Sequence, residues 1–124
     1  MEIKLYSKSD EAKLFDLLRE EDWSDYCHNS DGYKKALIGS LTYVAYDDDV
    51  LCGYIRCRDD DGFGIYVYDL LVKKSYRGHC YGRMLLDRVC ADHPNDTVYV
   101  MSDVDGYYKK QGYQRAGSVF CIQD

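Results

Sequence analysis

The stretch Tyr68 to Leu86, YDLLVKKSYRGHCYGRMLL, joins two periodicities across a basic turn. Up to Val72 the residues are strand formers. Beyond the turn, Tyr81, Leu85 and Val89 recur on one helical face flanked by Leu86 and Cys90, while Arg83 and Asp87 can pair on the other. Between them, Lys73 to Arg83 holds four of the chain's 16 basic residues and none of its 22 acidic ones. A strand that feeds a helix through such a turn offers unpaired N–H groups and the positive end of a helix dipole, which suit an anion. Gly78 and Gly82 let the backbone come close to a diphosphate, and Arg77 and Arg83 can add charge-assisted bonds. The competing reading is a solvated basic loop that balances an acidic remainder.

Outward from this turn, Pro94 marks the helix exit. Thr97 to Met101 reads as a short strand, Asp105 to Gln111 as a short helix ending at Gly112, and Tyr113 to Ile122 as a last strand. Upstream, Leu41 to Tyr46, Val50 to Cys57 and Phe63 to Val72 are strand runs separated by the acidic turns Asp47-Asp48-Asp49 and Asp59-Asp60-Asp61-Gly62. The short spacing predicts an antiparallel meander. The aspartates lack the alternating ligands and distal Glu of a calcium loop and read as solvated turns. Glu2 to Tyr6 reads as an edge strand. Ser7 or Ser9 can cap a helix bearing Leu14, Phe15, Leu17 and Leu18, and a second helix is predicted over Asp31 to Gly39. The predicted order is β-α-α-β-β-β-α-β-α-β, one compact unit over residues 1–124. The strand–helix–strand near the C-terminus implies a parallel pair in an otherwise antiparallel sheet.

The 124 residues are 46% hydrophobic with a net charge of −6, enough apolar material for a core and the wrong balance for a general nucleic-acid binder. No stretch is long and apolar enough for a membrane span or a signal peptide, so a soluble, cytoplasmic protein is expected. Cys27, Cys52, Cys57, Cys80, Cys90 and Cys121 form no Cys-x-x-Cys pair and read as reduced thiols packed as small apolar groups. His28, His79 and His93 stand apart from any cysteine pair, so no metal is expected.

The segment Tyr68 to Leu86 resembles the acyl-CoA binding motif of the GNAT superfamily, the Gcn5-related N-acetyltransferases. There, an apolar strand end leads into a loop of form Arg/Gln-x-x-Gly-x-Gly/Ala that opens a helix. The match is Arg77-Gly78-His79-Cys80-Tyr81-Gly82, with Cys80 in place of the central glycine. Downstream, Tyr107-Tyr108-Lys109-Lys110-Gln111-Gly112-Tyr113 is similar to the family's Phe/Leu-Tyr-x-Lys-x-Gly-Phe segment. The resemblance implies a GNAT-like α/β fold (an α+β mixed sheet): largely antiparallel, with a parallel splayed strand pair and helices on both faces. Cys80 is expected in the first helical turn with ordinary dihedrals, its N–H still facing a phosphate.

By the resemblance, the cofactor is acetyl-CoA. Main-chain groups of Leu70, Leu71 and Val72 would pair with its pantetheine arm, opposite a splayed Thr97 to Met101. Arg77 and the N–H groups of His79, Cys80, Tyr81, Gly82 and Arg83 would hold the pyrophosphate, with Gly78 letting the backbone come close to it. Tyr108 aligns with the tyrosine that protonates or hydrogen-bonds the leaving sulfur; packing is the other use of a tyrosine, and Tyr107 would replace it on a one-residue shift. Asp69 is the candidate base, its carboxylate pKa raised by apolar neighbours, against a strand-edge aspartate in solvent; Asp103 is the fallback. In Glu20 to Tyr26, Trp23 and Tyr26 among acids suit a cationic acceptor, although Trp23 is equally a core anchor. The implied activity is acetyl transfer to a primary amine, on a small molecule or a peptide or protein, by a monomer or homodimer. The rival is a non-catalytic acyl-CoA-binding module acting through a partner.

Overall fold

The runs rich in Val, Ile, Leu and Tyr form the strands and the runs with 3.6-residue apolar spacing form the helices. The structure is a computed structural model that describes residues 1–123. Its order is β1 (Glu2–Leu5), α1 (Glu11–Glu20), α2 (Ser24–His28), α3 (Ser30–Gly39), β2 (Leu41–Asp47), β3 (Val50–Asp59), β4 (Ile65–Val72), α4 (Tyr81–Asp92), β5 (Val98–Val100) and α5 (Asp105–Lys110). Single 3-10 turns precede α1 at Lys8–Asp10 and follow β4 at Lys74–Tyr76. The five strands form one sheet in sequence order, antiparallel from β1 to β4 and parallel between β4 and β5.

Each sheet face has its own core. On one, Leu14, Phe15, Leu17 and Leu18 of α1 and Tyr33 and Leu37 of α3 pack on Val44, Tyr46, Leu51, Tyr54 and Leu71. On the other, Leu85, Leu86 and Val89 of α4 pack on Tyr43, Ala45, Cys52, Ile55, Ile65 and Val67. A buried Leu of this kind contributes roughly 2 kcal/mol of transfer free energy, which is why the amphipathic spacing fixes which face each helix covers.

β4 changes face along its length. Arg56 pairs with Asp69 but Cys57 pairs with Val67, so Tyr68 is an extra residue bulged out of the ladder. Ile65 and Val67 therefore point to the α4 side, whereas Asp69 and Leu71 point to the α1–α3 side. Unbroken alternation would have put Asp69 with Val67.

Three expectations fail. The short α2 lies between the two predicted N-terminal helices; it has no buried residue and five positions, too few for a periodic signal. Tyr113 to Ile122 forms no strand: Gln114 to Ser118 includes Gly117 and few strand formers, and Val119, Phe120 and Ile122 remain strongly exposed. Of the six free cysteines, Cys52 and Cys57 are buried and Cys27 half-buried, but Cys80, Cys90 and Cys121 are exposed, so packing does not account for those three. Among the described residues no helix is long and apolar enough to cross a membrane.

Candidate functional site

β4 and β5 run together for three residue pairs, Ile65 to Val98, Tyr66 to Tyr99 and Val67 to Val100. The Ile65 N–H donates to Thr97 O at 2.9 Å and the Met101 N–H to Val67 O at 2.9 Å. Beyond this the strands part, because β5 ends at Val100 while β4 continues to Val72 against β3 alone. The Lys73 N–H donates to Cys52 O of the β3 strand at 2.8 Å. Alternation then turns the main-chain groups of Leu70 and Val72 toward the gap and those of Leu71 toward β3. The Val72 carbonyl accepts from Arg77 Nε at 3.0 Å.

The turn into α4 differs from expectation at Cys80. Gly78 has φ +84°, and Cys80, at the helix N-cap, has φ +64° and ψ +18°. Cys80 thus carries the left-handed backbone that the glycine of the motif would supply freely. The Met84 N–H closes the first helical turn on Cys80 O at 2.9 Å, so those of Tyr81, Gly82 and Arg83 have no carbonyl in a preceding turn. Gly82 has a steric reason: a Cβ there would lie 2.8 Å from the Tyr107 hydroxyl.

The basic turn is largely neutralised within the protein. Arg77 pairs with Glu21, Lys73 with Glu20 at 2.8 Å, and Arg83 with Asp87 at 3.6 Å while also reaching Gln111. Lys74 alone of the four basic residues has no carboxylate partner among the described residues. The guanidinium of Arg77 is thus engaged and that of Arg83 only in part, its Nε having no hydrogen-bond partner among the described residues, so the anion-binding groups left are backbone N–H, Lys74 and part of the Arg83 guanidinium.

At the parting of the strands lies a cleft of about 530 Å³. Its walls include Tyr68, Asp69 and Leu70 of β4, Asp103 and Val104 beyond β5, Tyr108 of α5, and Trp23 and Tyr26 of the α2 region. Tyr108 is half-buried, and burial pushes its phenol up to about 12, with Tyr107 and Asp103 adding to the shift. The structure brings Tyr108, not Tyr107, into this cleft; Tyr107 lies over Gly82 instead.

Asp69 is 3% exposed, but its surroundings are not apolar. Arg56 Nε donates to Oδ2 at 2.5 Å, the Tyr33 hydroxyl to Oδ2 at 2.7 Å, and the Tyr26 hydroxyl to Oδ1. The Tyr54 hydroxyl lies 2.7 Å from that of Tyr33. Burial and Asp69 push the Tyr26 phenol up to about 12, and the same causes raise Tyr33 further. Burial works against the Arg56 charge, and the Asp69 hydrogen bond and charge outweigh it. Asp69 is therefore a buried, fully partnered charge rather than a free carboxylate in an apolar pocket. Sequence reasoning missed Arg56 and Tyr33; the readable signal was one cation and one anion interior to facing apolar strands.

Trp23 and Tyr26 both wall the cleft and anchor the core. Trp23 packs edge-on to Tyr54 at 6.3 Å between ring centroids, and Tyr26 stacks on Tyr33 at 4.0 Å. Asp22, Asp25 and Asp103 stand beside them, and among the described residues no Lys or Arg lines the cleft.

This geometry sits on an established family. The acetyltransferase (GNAT) domain matches residues 39–115, and the chain belongs to that family. Its fold is shared with a GNAT-family acetyltransferase from Streptococcus pneumoniae TIGR4, 23% identical, with TM-score 0.74 over 99% of this chain and 98% of that one. A ribosomal-protein-alanine N-acetyltransferase from Brucella melitensis biovar Abortus 2308 is 19% identical, with TM-score 0.76 over 100% and 99% of the two chains. AAC(6')-Iy, solved with the bisubstrate analog CoA-S-monomethyl-acetylneamine, is 15% identical, with TM-score 0.75 over 99% and 97%. A search of curated proteins by sequence finds no match.

Proposed function

We propose that this protein transfers an acetyl group from acetyl-CoA to a primary amine by direct attack in a ternary complex. The observation that carries the reading is the parting of β4 from β5 beside the N-terminus of α4, with Tyr108 in the cleft between them. The residues present suit acetyl-CoA: the main-chain groups of Leu70 and the Val72 N–H face the gap for an amide-bearing arm, and the N–H groups of Tyr81 to Arg83 lack helical partners for a diphosphate. Once bound, it supplies the thioester that an amine attacks, with a thiolate as leaving group.

This chain's residues then have distinct tasks. The Tyr108 hydroxyl, protonated at neutral pH, donates its proton to the departing sulfur. The carboxylates of Asp22, Asp25 and Asp103 draw a cationic amine to the wall that Trp23 and Tyr26 form, where an aromatic surface favours it further. Asp69 acts through Tyr26, holding that phenol in the wall of the cleft. Asp103, exposed at the rim, accepts the amine's proton and passes it to solvent. Two of the fold neighbours carry names that point to amine acceptors of different size, a ribosomal protein's alanine and neamine, so the acceptor is set by this cleft and not by the fold.

Calorimetric titration with acetyl-CoA and then CoA tests the pocket, and thiol release with added amines tests turnover. Binding of both with thiol release is expected. Binding without release for a diamine, an aminosugar and an alanine-terminated peptide would favour the non-catalytic module, and no binding would overturn the reading.

A further inference from the structure

Glu21 sits at the end of α1, where its N–H closes the helix on Leu17 O at 3.0 Å. Its side chain is 8% exposed despite its charge. One carboxylate oxygen accepts the Lys74 N–H at 3.2 Å and the other accepts the Arg77 guanidinium. Arg77 in turn donates through Nε to Val72 O at 3.0 Å, and Lys73 pairs with the neighbouring Glu20. The carboxylate thus fastens both the 3-10 turn and the arginine of the basic loop to the end of α1.

The residues that follow face the other way. Asp22 turns the chain with φ +60°, the Trp23 N–H bonds Leu18 O at 2.9 Å, and Asp22, Trp23 and Tyr26 then wall the cleft. Glu21 is therefore the point at which the turn expected to grip the cofactor's anion meets the wall expected to hold the acceptor. Trp23 lies two residues from this junction.

We infer that Glu21 is a positioning residue that couples the cofactor loop to the acceptor wall, so that occupancy of one tightens or reshapes the other. The inference rests on the proposed acetyl-CoA site and adds a link that the site itself does not require. Two sites joined in this way share one coupling free energy, felt equally from either side. A carboxylate placed to compete with the phosphates for Arg77 would act in the opposite direction, and the sign of one substitution separates the two.

The test uses CoA as probe with two readouts. Calorimetry reports binding, and Trp23, the only tryptophan of the chain, reports the acceptor wall by its emission. Wild type is expected to bind CoA with a change in Trp23 emission. Glu21→Gln keeps the acceptor for the Lys74 N–H and removes the charge that holds Arg77, so it folds without a cavity. It is expected to bind CoA about tenfold more weakly, the scale of a lost charge-assisted hydrogen bond, and to lose the Trp23 response at saturation. Glu21→Asp is expected to recover part of both. CoA binding with a silent Trp23 in wild type, an unchanged response in Glu21→Gln, or tighter binding by Glu21→Gln would each overturn the coupling while leaving the proposed function intact. Absence of CoA binding in wild type would overturn the proposed function and the coupling with it.

Discussion

Cys80 holds a backbone conformation that a side chain resists, at the position of the family motif's central glycine. Relief of that strain is expected to make Cys80→Gly more stable by about 1 kcal/mol in urea denaturation, after allowance for the greater freedom of glycine when unfolded. A destabilised variant would mean that the thiol makes contacts outweighing the strain. The substitution was legible in the sequence but its consequence was not, because dihedral angles follow from how the turn enters α4. Tyr108 was legible as a motif position, and the structure separates it from Tyr107 by placing only Tyr108 in the cleft. Because burial pushes its phenol up to about 12, the proton that the proposed mechanism asks of it is present throughout the neutral range. A pH–rate profile is thus expected to show no falling limb from this residue below about pH 11. A limb near pH 10 that vanishes in Tyr108→Phe would contradict the burial.

At the level of elements, the bulge at Tyr68 decides what Asp69 does. Period-2 reading of IYVYDLLV puts Val67, Asp69 and Leu71 on one face, and no residue in that string announces an extra position. The bulge carries Asp69 to the α1–α3 side, where it meets Arg56, Tyr26 and Tyr33. Neutralising it leaves the Arg56 guanidinium, 15% exposed, without a counter-charge. Asp69→Asn is expected to destabilise the fold by roughly 3 kcal/mol in urea denaturation, the range found when one partner of a buried pair is removed. A change of under about 0.5 kcal/mol, the size of ordinary surface effects, would mean that the pair is solvated and Asp69 is free to act as a base. β2, β3, β4, α1, α3 and α4 were legible because apolar spacing sets their buried faces, and α5, which buries no residue, was legible by its stop at Gly112. The five-residue α2 and the unpaired tail were not, since neither buries enough to leave a pattern.

Across the whole molecule, buried phenols join the two cores to the cleft. Burial pushes Tyr6, Tyr26 and Tyr108 up to about 12, raises Tyr33, Tyr43 and Tyr46 further, and holds Tyr54 well above the ordinary phenol value. Each ionises near 10 in the unfolded chain, so its contribution is fully present below pH 10 and is lost as pH rises through the folded value. The urea midpoint is expected to stay level from neutral pH to about 9 and then fall steeply, with the tyrosinate absorbance of these seven buried phenols rising only as the protein unfolds. Native-state ionisation of all the tyrosines near pH 10 would contradict this. The net charge of −6 was read correctly from composition, but the predicted electropositive turn is mostly balanced by Glu20, Glu21 and Asp87, contacts that join distant or helically adjacent residues and follow only from the fold. The most direct test of the central claim is acetyl transfer itself, followed as thiol release from acetyl-CoA with a diamine, an aminosugar and an alanine-terminated peptide, for wild type and Tyr108→Phe. Wild type is expected to release thiol with at least one of these amines, the variant about a hundredfold more slowly, and the two to bind acetyl-CoA with equal affinity. Equal rates in the two proteins, or acetyl-CoA binding with no transfer to any of the three amines, would contradict that claim.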